Sequence, residues 1–207
     1  MAPVSAGLGS GLRIGVLSLQ GDVREHAQVL TDLGAQVSLV RRPRELEAVD
    51  GLVLPGGESS VIDKLSRVAG LQGPLCALIA AGLPVLGTCA GLILLADRLA
   101  DGISGQKTFG GMDVTVRRNA FGGQVESFEA DLDVPFLGPR AVRAAFIRAP
   151  VIEQVGPAAT VLASLPDGRV VAAEQGNLLG TAFHPETTGE TRFHQRLLNA
   201  VREQAMR

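Results

Sequence analysis

From Leu75 to Ala96 the chain carries no charged side chain, and this stretch restricts the possible folds more than any other feature. An uncharged apolar run of that length could cross a bilayer as one helix. Its punctuation argues otherwise. Gly82, Pro84, Gly87, Thr88 and Gly91 interrupt the run, and a helix does not pass through Gly-Leu-Pro without a kink. The stretch reads as a helix over Leu75–Ala81, a strand over Pro84–Gly87, a tight turn, and a second helix over Ala90–Leu99. That is the buried centre of an α/β protein, with no membrane association expected.

The flanking sequence supports this reading. Arg13–Leu19, Gln36–Val40 and Gly51–Leu54 are short apolar runs suited to buried strands. Asp22–Leu33 has apolar residues at helical spacing, with Asp22 as its cap and Gly34 as its stop, and Ser60–Ala69 is a second helix of this half. Strands alternating with helices at this rhythm make βαβ units and a parallel sheet. After about residue 110 the texture changes to strand-like runs at Met112–Val116, Gln124–Phe128, Ala144–Arg148, Thr160–Ser164, Arg169–Glu174 and Leu178–Phe183. Asp167-Gly168 and Gly176-Asn177 suit tight hairpins between neighbouring runs. Glu190–Met206 is a closing amphipathic helix. The expected fold is a three-layer α/β sandwich with a mostly parallel central sheet and added antiparallel strands. Residues 1–12 carry no charge and read as a flexible tail; residues 13–207 read as one domain.

Composition excludes several functions. Hydrophobic residues make up 46% and charged residues 19%, which is a globular balance. A net charge of −2 gives no basic surface for nucleic acid or an anionic membrane. Without Trp or Tyr there is little to stack on single-stranded bases. Cys76 and Cys89 are the only cysteines, too few for a secreted disulfide framework, so a reducing, cytoplasmic setting is expected. His26, His184 and His194 show no metal-ligand spacing, and no metal is expected.

Three motifs carry candidate chemistry. In Gly87-Thr88-Cys89-Ala90-Gly91, small residues flank a nucleophile between an apolar strand and an apolar helix. Such a turn, a nucleophile elbow, pushes the Cys89 side chain out at the carboxyl end of the sheet and over a helix N-terminus that favours thiolate. In His184-Pro185-Glu186, the two side chains leave a strand end on the same side. Glu186 can therefore orient one ring nitrogen while the other serves Cys89 as a base. Pro55-Gly56-Gly57-Glu58-Ser59-Ser60 can turn backbone N–H groups toward a ligand but lacks the length and lysine of a phosphate loop. It fits an ordinary capped βα turn as well as an oxyanion cradle. Cys76 reads as a core thiol, and His194 as part of a solvated helix face.

Together, G-T-C-A-G, H-P-E and P-G-G-E-S resemble the class I (triad) glutamine amidotransferases. Leu19-Gln20-Gly21 with Val23-Arg24-Glu25-His26, Arg118-Asn119-Ala120-Phe121-Gly122, Ser127-Phe128-Glu129 and Phe146-Ile147-Arg148-Ala149-Pro150 are more specific. They are similar to the glutaminase subunits of pyridoxal 5′-phosphate synthase. The likeness runs from Arg13 to the closing helix, with Gly102–Gly111 atypical.

The resemblance implies that L-glutamine is hydrolysed through a thioester on Cys89, with His184 as proton carrier, Glu186 as its orienting group and no cofactor. It implies an oxyanion hole from Ala90 and from Gly56 or Gly57. It implies a glutamine site at Gly57, Glu58, Ser59, Arg118, Ile147 and Arg148, with either arginine as the partner of the substrate carboxylate. It implies a hetero-oligomer in which ammonia passes to a separate synthase subunit. Gln20 and His26 are expected at that partner interface, and a flip of the Gly56–Gly57 peptide is expected to make activity depend on the partner. The competing readings are a glutaminase subunit of another amidotransferase, a cysteine hydrolase of a related superfamily, and a non-enzymatic scaffold.

Overall fold

The computed structural model describes residues 7–120 and 127–206. The first half alternates β1 (Arg13–Leu17), α1 (Val23–Asp32), β2 (Gln36–Val40), α2 (Pro43–Leu46), β3 (Gly51–Leu54), α3 (Ser59–Val68), α4 (Gln72–Ala80), β4 (Val85–Thr88) and α5 (Ala90–Leu95). The remainder is β5 (Ala96–Leu99), β6 (Met112–Arg117), β7 (Phe128–Leu132), β8 (Val142–Phe146), β9 (Val151–Val155), β10 (Thr160–Ser164), β11 (Val170–Gln175), β12 (Leu178–Thr181) and α6 (Arg192–Ala205).

One sheet runs through most of the chain in the order β2-β1-β3-β4-β12-β11-β9-β6-β5, with β10 also paired to β11. The segment β2-β1-β3-β4-β12 is parallel throughout. Its strands β1, β3 and β4 are buried almost end to end, as parallel strands covered on both faces must be. Chain crossovers from β1 to β2 and from β3 to β4 run in opposite directions across the sheet. Right-handed connection therefore puts α1 on one face and α3 and α4 on the other. Contact between α3 and α5 fills the second face, and a contact between α1 and α6 fills the first. Beyond β12 the pairing turns antiparallel through the two expected hairpins and stays so as far as β6, and the edge pair β6–β5 is parallel again, while β7 and β8 form a separate antiparallel ribbon. Among the described residues no helix is long and apolar enough to cross a membrane; the uncharged stretch divides into α4, β4, α5 and the first residue of β5.

Several expectations need correction. The helix read over Ala90–Leu99 stops at Leu95, where Ala96 turns extended (φ −67°, ψ 138°). Residues Ala96–Leu99 become an edge strand, because Arg98 reaches across to Thr115 Oγ1 (2.9 Å) and Asp113 Oδ1 (2.7 Å) on β6. The strand expected over Ala144–Arg148 is shifted to Val142–Phe146, and β9 was not expected at all. Residues 124–126 of the strand read over Gln124–Phe128 lie outside the described residues, as do residues 1–6 of the tail. Residues 7–12 are held by the fold: the Gly9 N–H donates to Leu33 O (2.7 Å) and the Gln36 N–H to Leu12 O (2.8 Å).

Candidate active site

Four adjacent parallel strands, β1, β3, β4 and β12, end at the same edge, and each delivers part of one cleft. The carboxyl edge of an open α/β sheet is where ligands bind. The loop after β1 brings Gln20 and Asp22, the loop after β3 brings Gly57 and Glu58, the turn after β4 brings Cys89, and the segment after β12 brings His184. Arg118, just past β6, and Ile147 and Arg148, just past β8, close the far side. The cleft holds about 280 Å³, at the small end for ligand pockets, which suits a single small metabolite.

The turn at Cys89 is the expected elbow. Cys89 has φ 49° and ψ −101°, a region L-residues avoid, directly between β4 and α5. The backbone is fixed there by the Cys89 N–H donating to Thr181 O at 2.7 Å. Glycine is required at position 91 because any Cβ would collide with the Leu54 carbonyl. Ala90 is the first residue of α5, so its N–H belongs to the turn that has no acceptor within the helix. Among the described residues, Cys89, Asn119 and Arg148 are the only non-glycine residues with positive φ, and all three line this cleft. Strain concentrated at one site marks a constellation that the surrounding packing over-determines.

His184 sits beside the elbow, nearly buried. Its Nδ1 lies 2.9 Å from Glu186 Oε1 and 3.2 Å from Asp22 Oδ2. A carboxylate only accepts, so Nδ1 carries the proton and Nε2 is left for Cys89. Burial opposes a charge on this ring. Hydrogen bonds with Asp22, Cys89 and Glu186 overcome that opposition and push its pKa up to about 12. Burial pushes the Glu186 carboxyl up, with the hydrogen bond from His184 pulling the other way. The hydrogen bond with His184 holds Asp22 low. Gly56 lies flat against this pair, and a Cβ there would collide with the His184 ring. Asp22, His184 and Glu186 are also the one group among the described residues with atoms spaced for a metal ion. Here those atoms are already joined through the Nδ1 proton.

The Pro55–Ser60 loop faces the elbow from β3. The Gly56 carbonyl accepts from the Asp22 N–H at 3.2 Å, and Gln20 Oε1 accepts from the Glu58 N–H at 2.7 Å. Glu58 Oε1 accepts from Ser60 and, at 2.7 Å, from Nη2 of Arg118. Arg118 Nη1 donates to Gln106 Oε1 (3.0 Å), whose amide in turn donates to Ser59 Oγ (3.0 Å). Gln106 thus links two expected glutamine-site residues, although its segment was the atypical part of the sequence. Arg148 is exposed at the rim and makes no ion pair with any described residue, while Ile147 is partly exposed beside it.

Sequence reasoning misplaced two histidines. His194 is fully buried, not on a solvated face, and His26 is fully buried as well, so its ring presents nothing to a partner. Both lie where α1 meets α6. His26 Nδ1 is 2.9 Å from His194 Nε2. Asp22, the expected cap of α1, makes no capping bond; its carboxylate goes to His184. Cys76 is half-buried on α4, outside the cleft.

Comparison with known proteins follows the same lines. Residues 16–203 match the model of the SNO glutamine amidotransferase family. The pyridoxal 5′-phosphate synthase subunit PdxT of Leifsonia xyli subsp. xyli is 67% identical over 91% of this chain and 96% of its own. That of Clavibacter michiganensis subsp. michiganensis is 62% identical, covering 94% and 93%. A crystal structure described as a glutamine amidotransferase superposes with a TM-score of 0.84 at 43% identity, covering 91% of this chain and 98% of that one.

Proposed function

Because the chain belongs to the SNO glutamine amidotransferase family, we propose that it hydrolyses L-glutamine to L-glutamate and ammonia. The ammonia goes to a separate synthase subunit that makes pyridoxal 5′-phosphate. The observation that carries this reading is that a strained Cys89 shares a cleft sized for one amino acid with His184, whose Nδ1 is held by Glu186 at 2.9 Å. We assign the chemistry to residues 13–207 acting as one domain, without a cofactor, in the cytoplasm.

The Cys89 thiolate, paired with the His184 imidazolium, attacks the side-chain amide carbon of glutamine. The carbonyl oxygen becomes an oxyanion, received by the N–H of Ala90 and one from the Gly56–Gly57 peptide. Nε2 of His184 gives its proton to the departing nitrogen, which leaves as ammonia, and a thioester remains. The neutral ring then takes a proton from water, the resulting hydroxide attacks the thioester, and glutamate leaves. Cys89 returns as thiolate and His184 as imidazolium. Proton transfer of this kind is worth roughly 10²–10⁴ in rate. Glu186, inaccessible to water, keeps Nδ1 protonated throughout.

Glu58 and Ser59 offer acceptors for the substrate ammonium, with Gly57 and Ile147 as walls. Arg118 is engaged by Glu58 and Gln106, so we assign the substrate carboxylate to the unengaged Arg148. Partner dependence fits the same loop. Rotating the Gly56–Gly57 peptide costs the bond from the Asp22 N–H to Gly56 O, and Gln20 holds the next peptide. We assign Gln20 to the partner-sensing edge. Glutamate release should rise at least about tenfold when the synthase subunit is added, given that one missing oxyanion donor costs about 10²–10³. No glutamate release, alone or with the synthase, would refute the function.

A further inference from the structure

We propose that His26, itself fixed by His194, is a positioning residue whose Nε2–H orients Glu186 and ties it to the nucleophile elbow. The inference rests on the function proposed above and extends its machinery by one layer.

His26 Nε2 lies 3.0 Å from Oγ1 of Thr88, the residue immediately before Cys89, and 3.5 Å from Oε2 of Glu186. Glu186 Oε1 is taken by His184. Its Oε2 is buried without a hydrogen-bond partner, and the His26 ring nitrogen is the cation-capable group facing it. The groups around this carboxylate are His184 in the segment after β12, Asp22 ahead of α1, and His26 on α1. His26 in turn faces His194 on α6 and feels the charge of His184, while His194 feels that of Glu190.

The protons can be assigned from satisfaction alone. One proton is shared between His26 Nδ1 and His194 Nε2. If His194 supplies it, His26 has its N–H on Nε2, aimed between Thr88 Oγ1 and the Glu186 carboxylate. The unpartnered atom of His194, Nδ1, is then a bare lone pair. With the opposite assignment, His26 would turn a lone pair toward the carboxylate and His194 would bury an N–H with no acceptor. An orphaned buried donor is the costlier defect. The first arrangement therefore holds: His194 Nε2–H donates to His26 Nδ1, and His26 Nε2–H donates to Thr88 Oγ1 while its positive end faces Glu186 Oε2 at 3.5 Å. Burial lowers the pKa of both rings, which keeps them neutral. The chain from α6 through α1 to Glu186 and His184 couples the base, its carboxylate and the elbow into one unit. The parts come from four segments of the chain: α6, α1, the elbow, and the His184–Glu186 turn.

The test compares wild type, His26→Leu and His26→Gln, each with the synthase subunit present, across pH. Leu fills the space without a donor; Gln returns an N–H near the Nε2 position. We expect His26→Leu to lower kcat by about 10–100-fold, the range typical when a group that orients a functional ligand is lost. KM for glutamine should stay within about twofold, as expected when ground-state binding is untouched. The acid limb of the kcat profile should move to higher pH, because an unsupported Glu186 takes up a proton more readily. His26→Gln should recover most of the loss. A second readout needs neither glutamine nor partner: the pH dependence of Cys89 alkylation by iodoacetamide, read on its own peptide, should shift in His26→Leu and return in His26→Gln. Unchanged kcat, pH profile and alkylation in His26→Leu overturn the proposal, as does a Gln variant no better than Leu. Absence of wild-type glutaminase activity would instead defeat the function, leaving the alkylation profiles to decide the positioning role.

Discussion

Asp22 Oδ2 stands 3.2 Å from Nδ1 of His184, the nitrogen that Glu186 also engages. The base is therefore held by two carboxylates of unequal kind. Glu186 has no exposed side-chain surface, whereas that of Asp22 is 39% exposed. The buried one fixes the ring; the half-exposed one adds to its charge and can respond to what enters the cleft.

Replacing Asp22 by Asn removes a charge that helps keep His184 protonated, so the basic limb of the kcat profile should move to lower pH. Glu186→Gln should cost more in kcat than Asp22→Asn, because it also unfixes the ring. Turnover at saturating glutamine from pH 5 up to about pH 12, where the His184 pKa lies, checks both orders. An Asp22→Asn profile identical to wild type would remove Asp22 from the site.

Arg148→Ala should raise KM for glutamine by about 10–100-fold with little change in kcat, since a charge-assisted contact to a carboxylate is worth about 1.5–3 kcal/mol. Gln106→Ala should raise KM less, through loosened Arg118 and Ser59. Initial rates against glutamine concentration decide the order. A larger KM effect at Arg118 than at Arg148 would move the carboxylate to Arg118.

These distinctions show where sequence reading succeeds and where it stops. The elbow and the His-Pro-Glu unit are local: glycine spacing around Cys89 and the two-residue step from His184 to Glu186 are written in adjacent letters. The parallel strands are likewise marked by short apolar runs between glycines and prolines. Long-range contacts leave no such mark. His26 and His194 are 168 residues apart and each has charged or polar neighbours. Only the helical phase, with His26 and Leu30 turned inward and Arg24 and Glu25 outward, reveals the burial. Asp22 has the right residue type and place for a cap, and tertiary contact with His184 redirects it. Ala96–Leu99 continues a helical pattern, yet pairing with β6 makes it a strand.

Acid should destabilise the fold through the buried histidines. Burial lowers His194 from 6.5 to about 4, and the lowered pKa of His26 acts in the same direction. Below pH 6.5 the unfolded chain takes up protons that the folded one refuses. Stability from this source is complete above pH 6.5 and lost progressively as pH falls toward 4. The His194 shift alone corresponds to about 3 kcal/mol. Urea midpoints measured from pH 7 to pH 4 should fall, and His194→Gln should flatten the decline. An equally steep decline in that variant would place the acid sensitivity elsewhere.

The assignment of Cys89 as nucleophile is tested by glutamate release from Cys89→Ala, assayed beside wild type and Cys76→Ala with the synthase subunit present. Wild type and Cys76→Ala should turn over alike. Cys89→Ala should be folded and lose at least about 10³-fold, the scale of losing a nucleophile. Glutamate release from Cys89→Ala at the wild-type rate would contradict the mechanism at its first step.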